Sequence, residues 1–396
     1  MASFRTWRSV SVSLCILSLV TAAGCDVEMG NWGQARHEKI VARHAALAAG
    51  DTLDVHTASG SVHITGADRT ECDVIATITA RAPSEEEARE LLEQVEIRLE
   101  QAGNTLKVRA DKPKLRNNRS ISVSYAITAP RQINVECGSS YGSLKLANLE
   151  GTVGAKTSSG SITAENIRGT TNLDTSYGSI ECTDVSGQEV TLHSASGSIT
   201  ASDIKGTARM NSAYGSVRCE RFSDGDLSLR SGSGRVTISD ARFGTCEASS
   251  SYGSVTATNV EGRSAKLHSG SGSVDVTEAA AETLDMSSSY GRVKAVQITT
   301  NDLKAHSGSG SIHVECTSAC PAELKADVKT SYGSVNFAAP PAFSGRVHLA
   351  TSYGSVQAER PITISGKVTK KKIAGTIGEG NGNLRLESSS GSIHLK

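Results

Sequence analysis

The chain has 396 residues, and Lys plus Arg equal Asp plus Glu at 41 each, so that neither nucleic acid nor another polyanion is favoured as a partner. Aromatic residues make up only 4% of the chain, whereas glycine occurs 38 times. This composition indicates a repetitive architecture rather than a conventional globular core.

Residues 1–25 have the features of a leader that is not part of the fold. Arg5 and Arg8 precede an apolar stretch over residues 10–20. That stretch is about half the ~20 residues that a membrane-spanning helix needs, and no later segment approaches this length. We therefore expect the rest of the protein to lie outside the cytoplasm.

The leader ends in a sequence that resembles the lipobox of bacterial lipoproteins. Small residues stand directly before Cys25, although Ala22 occupies the position where Leu is usual. Cys25 is therefore predicted to carry a lipid anchor, with residues 26–44 as a tether, in a cell-envelope protein on the periplasmic or the surface side. The alternative is an ordinary secretory signal that is cut near Ala23.

Residues 45–130 are predicted to form a small α/β capping region. The stretch "TLDVHTASGSVHITG" (52–66) contains one copy of a phrase that recurs later, and "ECDVIATITARA" alternates as a strand does. A helix is predicted over 83–103, because Pro83 and Ser84 suit its start and Gly103 suits its end. The apolar stripe of this helix consists of Leu91, Leu92, Val95 and Leu99. Two strands are predicted to follow it, over Thr105–Ala110 and Ser120–Thr128.

Residues 131–396 form a repeat whose period is 18 or 19 residues over most of its length. About fourteen copies are counted, including a degenerate one around 373–377. A period this short is typical of a solenoid. The repeat glycine stands at positions 142, 160, 178, 197, 215, 234, 253, 272, 291, 310, 333, 354 and 391.

Each copy alternates apolar and polar residues with a period of two, so it holds two or three short strands. Ile or Val stands two residues after the glycine, as in Ile162 and Val217. A single copy cannot bury its apolar face, whereas stacked copies can. The fold class predicted is all-β, a parallel β-solenoid (β-helix) with right-handed coiling. The alternative is a β-propeller with about 40 residues in each blade.

From Leu53 to Lys396 the chain resembles the bacterial putative-adhesin β-solenoid family. The resemblance rests on "LDVHTASGSVHITG", on "SEEEARELLEQVEIRLE", and on coils of the forms "S-x-SGSI" and "S-YGSV" after an extracytoplasmic leader. These motifs are repetitive and not catalytic, so they are specific for the fold. The resemblance implies β-helical coils in a surface or membrane-attached protein without assigned biochemistry.

The sequence contains no phosphate loop, dinucleotide fingerprint, zinc motif or calcium loop, and no metal or cofactor is predicted. His193, His268 and His306 lie four residues before a repeat glycine, as Arg230 does, and strand alternation directs them to solvent. His268 and His306 would be roughly 9.6 Å apart, too far to share a metal ion. The outward acids do not concentrate in adjacent coils as in a polysaccharide lyase: Asp174, Glu181, Glu220 and Asp275.

The seven cysteines after Cys25 do not pair into a complete disulfide framework. Cys182 and Cys219 share one phase of the repeat, two coils apart, and are expected to be small buried hydrophobes. Cys316 and Cys320 fall in the widened 23-residue copy, where a disulfide could clip its extra loop. Whether these two are bonded stays open.

Two rows of residues flank the repeat glycine. Ser or Thr stands three residues before it, which predicts hydroxyls that hydrogen-bond to one another along the rod. Tyr alternates with Ser directly before it, and two roles stay open for this tyrosine row, with inward packing favoured over an exposed ladder for sugar stacking. The tyrosines are Tyr141, Tyr177, Tyr214, Tyr252, Tyr290, Tyr332 and Tyr353, and the alternation breaks where the last two occupy successive copies.

The function expected is that of a non-enzymatic, envelope-anchored scaffold that binds protein or polysaccharide. One alternative is an envelope-stress or signalling accessory that binds a membrane partner, and a more remote one is a polysaccharide-active β-helix enzyme. Because the chain stops inside a repeat, we expect its C-terminal sheet edge to self-associate end to end or to receive a partner strand.

Overall fold

The computed structural model describes residues 35–365 and 369–396, so the leader, Cys25 and most of the tether lie outside the described residues. Strands account for 67% of the structure and helix for 3%. Strand neighbours in the repeat pair in parallel, one turn upon the next. These findings confirm an all-β solenoid. No helix in the described ranges is long and apolar enough to cross a membrane.

The N-terminal part carries the described helix and seven strands. They are β1 (Ala35–Ala46), β2 (Thr52–Ser59), β3 (Val62–Ala67), β4 (Glu71–Ala82), α1 (Glu85–Glu93), β5 (Glu96–Ala102), β6 (Thr105–Asp111) and β7 (Ser120–Pro130). The prediction that the tether extends to residue 44 is wrong from Ala35 onward, because β1 pairs antiparallel with β4 along its whole length.

The helix predicted over 83–103 is correct only in its first half. Ser84 caps α1 by accepting a hydrogen bond from the backbone N–H of Glu87, and three glutamates occupy the positive end of the helix. The second half is β5, which pairs antiparallel with β6 through a turn at Gly103, a residue with φ +62°. Leu99 therefore belongs to a strand, because pairing with β6 outweighs its helical spacing.

The repeat itself is a stack of strands that lie in register from turn to turn. It comprises β8 (Asn134–Tyr141), β9 (Leu144–Glu150), β10 (Val153–Thr157), β11 (Ile162–Arg168), β12 (Thr171–Thr175), β13 (Ile180–Ser194), β14 (Ile199–Ser212), β15 (Val217–Ser223), β16 (Leu227–Ser231), β17 (Val236–Ser250), β18 (Val255–Ser269), β19 (Val274–Ser288), β20 (Val293–Ser307), β21 (Ile312–Cys316), β22 (Lys325–Thr330) and β23 (Val335–Ala338). The C-terminal part comprises β24 (Gly345–Thr351), β25 (Val356–Ala358), β26 (Thr363–Ile364), β27 (Lys372–Ile377), β28 (Gly382–Ser388) and β29 (Ile393–Leu395).

The turn around Gly197 shows how one repeat fills the core. Leu192, Ile199, Ala201 and Ile204 are all 1% exposed or less. Ala201 and Ile204 are three residues apart, so strict alternation would place them on opposite faces. The residue before Ile204 adopts a left-handed conformation, which turns the chain and brings both side chains inside.

This left-handed position recurs six residues after the repeat glycine in nine successive turns of the described chain. Asn and Asp, which tolerate this conformation best among non-glycine residues, hold most of the places. The sequence pattern did not reveal it. The nine residues are Asn148, Asn166, Asp184, Asp203, Arg221, Asp240, Asn259, Glu278 and Gln297.

Each turn of the stack is called a layer here, and each layer is named by its repeat glycine, the corner glycine. Within the described residues, about eleven turns, from the layer of Gly142 to that of Gly333, follow one another in chain order. One layer precedes them: β2 and β3, with corner glycine Gly60, pair with β8 and β9. On its outer side this layer is covered by β6 and β7, which come later in the chain.

The C-terminal end of the stack also departs from chain order. Strands β28 and β29, with corner glycine Gly391, pair with β22 and β23 on one side. On the other side they pair with β24 and β25, which belong to the layer of Gly354. The last repeat of the chain therefore lies between the two layers that precede it in sequence.

One expectation about this end is corrected. The degenerate copy around 373–377 is not a turn of the solenoid but strand β27, which pairs antiparallel with β24. The fourteen copies predicted in residues 131–396 are therefore thirteen layers, and the layer of Gly60 precedes them. The edge of β24 is covered by β27, and self-association end to end stays a prediction.

Candidate functional site

The inner side of the corner carries the row of Ser and Thr residues, called here the hydroxyl row. Ser212 accepts a hydrogen bond from the backbone N–H of Gly215 at 2.9 Å. It donates one to the carbonyl oxygen of Gly197 in the preceding layer, also at 2.9 Å. Ser194 and Ser231 repeat this arrangement. The row is structural as predicted, but its hydroxyls bond to the backbone and not to one another.

The corner glycine is required by the closeness of the stacked backbones. A Cβ atom built on Gly215 would lie closer than 3.0 Å to the carbonyl of Gly197 in the layer below. Since the obstacle is backbone, no side-chain movement can relieve the overlap. The position of the corner glycine therefore admits no side chain.

The outer side of the corner carries the tyrosine row, and it is exposed to solvent. The seven rings are between 69% and 82% exposed. The interpretation favoured from the sequence, inward packing, is wrong. The chain bends between the buried hydroxyl row and the corner glycine, so a tyrosine two residues after a buried serine points outward instead of sharing its face. The exposed residues are Tyr141, Tyr177, Tyr214, Tyr252, Tyr290, Tyr332 and Tyr353.

The alternation of Tyr and Ser is unbroken in space across the described layers. In chain order it fails, because Tyr332 and Tyr353 occupy successive copies. The layer of Gly391, which carries Ser390, lies between them and restores the pattern. From one end to the other, the residues before the corner glycine are Ser59, Tyr141, Ser159, Tyr177, Ser196, Tyr214, Ser233, Tyr252, Ser271, Tyr290, Ser309, Tyr332, Ser390 and Tyr353.

Shallow grooves lie between successive tyrosines of the row. The groove between Tyr252 and Tyr290 has a floor of Gly270 and Ser271, with His268 at its side. The next groove, between Tyr290 and Tyr332, has an equivalent floor and the side chains of His306 and Lys329 beside it. Since Tyr recurs in every second layer, the rings are about 9.6 Å apart along the rod. The row therefore presents evenly spaced aromatic rings with polar gaps between them.

A second column of side chains runs beside the tyrosine row, four residues before each corner glycine, and is called here the flank column. In the layers that carry Ser at the corner, six of the seven described flank residues are His, Lys or Arg. In the layers that carry Tyr, all but Lys329 are short. The Ser-type layers hold His56, Lys156, His193, Arg230, His268, His306 and Glu387, and the Tyr-type layers hold Gly138, Asp174, Asn211, Ser249, Ser287, Lys329 and Ala350.

The long flank residues reach over the short ones of the neighbouring layers. The imidazole of His56 lies against Gly138, which is its partner in the strand pairing. Nδ1 of His268 lies 2.9 Å from the hydroxyl oxygen of Ser287. Sequence reasoning found three of the histidines and Arg230 but not this opposite phase. The sequence would have revealed this opposite phase if the flank residues had been divided into those of Tyr-type and those of Ser-type layers, with the layer of Gly60 included.

The other residues singled out from the sequence do not converge on a reaction centre. Cys182 and Cys219 are fully buried, as expected, and burial raises the pKa of each thiol to about 12. In the part of the chain that the structure describes, no group of three or more His, Cys, Asp or Glu side chains could hold a metal ion.

Cys316 and Cys320 are free thiols in this structure, and they lie next to each other. The hydrogen bond from Cys316 to Cys320 lowers the pKa of Cys320 to about 6 and raises the pKa of Cys316. The backbone N–H of Thr300 also points to the sulfur of Cys320, at 3.4 Å. Their disulfide stays a prediction.

The family model described as Toastrack DUF4097 matches residues 51–244 and 221–396. The two matches together cover most of the chain and include the described N-terminal part from β2 onward as well as the whole stack. They confirm that the resemblance seen in the sequence is one of family. Among curated proteins, no sequence matches this chain significantly.

Several solved structures are similar to the chain at low identity, and three of them are described here. A "putative cell adhesion protein" from Clostridium sporogenes ATCC 15579 is 10% identical over 90% of this chain and 99% of its own, with a TM-score of 0.20. A "putative adhesin" from Bacteroides fragilis NCTC 9343 is 18% identical over 70% and 97%, with a TM-score of 0.25. A "putative lipid binding protein" from Parabacteroides distasonis ATCC 8503 is 18% identical over 75% and 93%, with a TM-score of 0.28.

Proposed function

This chain belongs to the Toastrack DUF4097 family, and we propose that it is a non-enzymatic scaffold of the cell envelope whose tyrosine row binds a linear polysaccharide. The observation that carries the proposal is the exposure of a tyrosine in every second layer. A tyrosine ring joins a large apolar face to a polar hydroxyl, and such a face stacks well on the C–H face of a sugar ring.

The spacing of the row supports an extended sugar chain as the ligand. Seven tyrosines at about 9.6 Å span nearly 60 Å along a straight edge. A β-1,4-linked hexopyranose chain advances by a similar length for each disaccharide, so one ring of each pair can meet a tyrosine. Many weak stacking contacts on one rigid support add up, since the first contact raises the effective concentration for the next.

The spatial order of the layers also supports a role for the spacing. If the alternation were only a remnant of a duplicated two-repeat unit, it would run in chain order to the C-terminus. In chain order it fails at Tyr353, and it is regained only through the placement of the layer that carries Ser390. The period therefore belongs to the assembled surface, where a ligand would meet it.

The place in the cell is proposed from the leader. The apolar stretch over 10–20 and the small residues before Cys25 support export and lipid attachment. A lipidated N-terminus would hold the rod at a membrane while its long edge stays accessible to envelope polysaccharide. The uniform surroundings of the row, Ser, Gly and Tyr in layer after layer, suit holding a polymer and offer no convergence of acid and base groups.

Binding of the purified protein to linear polysaccharides, first on a glycan array and then by titration calorimetry, tests the proposal. Replacing Tyr214 and Tyr252 by Ser should weaken binding about tenfold or more, because each stacking contact is worth about 1 kcal/mol. The matched variant Ser196→Tyr with Tyr214→Ser keeps the number of tyrosines but breaks their spacing, and it should also bind weakly.

Tyr125→Phe is the control, because this tyrosine is buried and lies outside the row. Its affinity should equal that of the unchanged protein. Polysaccharide binding that survives in both row variants would contradict the proposal, as would a protein that binds no glycan of any kind.

A further inference from the structure

The flank column carries information that stacking on tyrosine does not use. Apart from Lys329, its basic and imidazole side chains occur in the Ser-type layers, midway between tyrosines. A polymer that follows the edge would therefore meet an aromatic ring and a basic group in alternation, each about 9.6 Å from the next of its kind. The net charge of the chain is zero, so this preference lies in the local arrangement alone.

The acidic neighbours of the flank column leave it able to bind an anion. Oδ1 of Asp54 lies 2.7 Å from Nδ1 of His56, and a carboxylate oxygen of Asp174 lies 3.0 Å from Nζ of Lys156. The carboxylate of Glu247 lies 3.3 Å from a guanidinium nitrogen of Arg230. The basic partners are more than half exposed. Asp54, by contrast, is 18% exposed and also pairs with Arg109. A bound carboxylate can therefore add to each pair, and at Arg230 and Glu247, where both partners are exposed and the pair stabilises the protein little, it can also replace the acid.

From this alternation we propose that the polysaccharide on the tyrosine row is acidic, with one carboxylate in each disaccharide. This inference rests on the proposed function. One sugar ring stacks on a tyrosine, and the next sugar, a uronate, places its carboxylate beside the flank residue of the Ser-type layer. Lys, Arg and protonated His donate charge-assisted hydrogen bonds to a carboxylate. In the Ser-type layers the one acidic flank residue, Glu387, lies in the last of them, at the C-terminal limit of the binding edge. The other acid of the column, Asp174, lies in a Tyr-type layer, where it pairs with Lys156.

The histidines of the column make such binding depend on pH. An imidazole gains its positive charge as the pH falls through the range of about 8 to 5, whereas a uronate carboxylate stays ionised there. Binding should therefore strengthen as the pH falls. The charged groups beside these rings are few. They are Asp54 and its partner Arg109 for His56, Asp174 for His193, Lys266 for His268, and Lys304, Lys329 and Asp327 for His306.

The test compares two probes of equal length on the purified protein. Hyaluronan oligosaccharides carry one uronate in each disaccharide, and N-acetylglucosamine oligomers are neutral. Hyaluronan should bind more tightly, and lowering the pH from about 8 to about 5.5 should strengthen its binding roughly twofold to threefold for each imidazole that it covers. The neutral oligomers should show no such change.

His56→Gln with His193→Gln separates this inference from the proposed function, because neither imidazole lines the grooves described between the tyrosines. The variant should lose about half of the pH dependence with hyaluronan, since two of the four column histidines remain, and keep the affinity of the unchanged protein for the neutral probe. Equal binding of both probes without pH dependence would overturn the acidic preference and leave the tyrosine row as a glycan site. If the tyrosine variants bind both probes as tightly as the unchanged protein does, the proposed function itself is overturned.

Discussion

Ser212 and Tyr214 lie two residues apart at the same corner of the solenoid, yet their surroundings are opposite. Ser212 is fully buried and bonds to the backbone of its own layer and of the preceding one. Tyr214 is 69% exposed. In a flat strand the two side chains would share a face. The bend at the corner separates them, so one residue joins layers inside while the other faces solvent.

The two rows that these residues represent follow different rules along the rod. In the hydroxyl row each described layer from that of Gly142 onward has a Ser or Thr that donates to the corner-glycine carbonyl of a neighbouring layer. In the layer of Gly60, Thr57 donates to the carbonyls of Ser59 and Val123 instead. In the tyrosine row a large side chain, Tyr, alternates with a small one, Ser. The tyrosines face solvent, so packing in the interior does not explain this alternation. The inner row is therefore set by adjacent layers, whereas the outer row follows a period of two layers that belongs to the surface.

The largest loss of stability is expected from Gly215→Ala. The added Cβ would overlap the backbone of Gly197, and the overlap can be relieved only by moving stacked strands apart. The free energy of unfolding should fall by about 3 kcal/mol, at the upper end of the range for overpacking. Thermal denaturation followed by circular dichroism measures this, with Ser216→Ala at the next, exposed position as the control. An unchanged melting temperature would show that the corner is not tightly stacked.

A smaller loss is expected from Ser212→Ala. The substitution leaves the N–H of Gly215 and the carbonyl of Gly197 each without its hydroxyl partner. Unsatisfied buried groups of this kind cost about 1–3 kcal/mol. Ser212→Thr should retain the stability of the unchanged protein, since Thr175 makes the same two bonds in another layer. If Ser212→Ala were neutral in urea denaturation, the hydroxyl row would not join the layers.

The smallest effect on stability, within about 0.5 kcal/mol, is expected from Tyr214→Ser. Its ring is largely exposed, and Ser already holds the equivalent position in neighbouring layers. The same variant should weaken polysaccharide binding, so that stability and binding separate along one corner. A loss of more than about 1 kcal/mol in denaturation would instead favour the packing role first expected for this residue.

The regular part of the fold was accessible to sequence reasoning because each layer contacts mainly its neighbours. The corner glycine, the apolar residue two positions later and the Ser or Thr three positions earlier recur in almost every copy. In the layer of Gly197 the last two of these positions, Ile199 and Ser194, are fully buried. Local alternation and repeat length were therefore enough to predict a solenoid.

The two ends were not accessible in this way. The segment 373–377 resembles a weak repeat, but it pairs antiparallel with β24 and caps the stack. The second half of the predicted helix became β5 because β6 supplied an antiparallel partner. In both places the outcome depends on which strand is nearby in space, and the spacing of apolar residues along the chain contains no such information.

The sequence by itself determined the period of the solenoid, the residues of its core and the presence of two rows at its corner, because these follow from contacts that every layer repeats. Only the tertiary structure decided that the tyrosines face solvent, since the bend at the corner reverses the alternation that a flat strand would impose. It also decided the order of the last layers. The repeat that carries Ser390 lies between those of Tyr332 and Tyr353, and strand pairing between distant segments restores in space the alternation that the chain order interrupts.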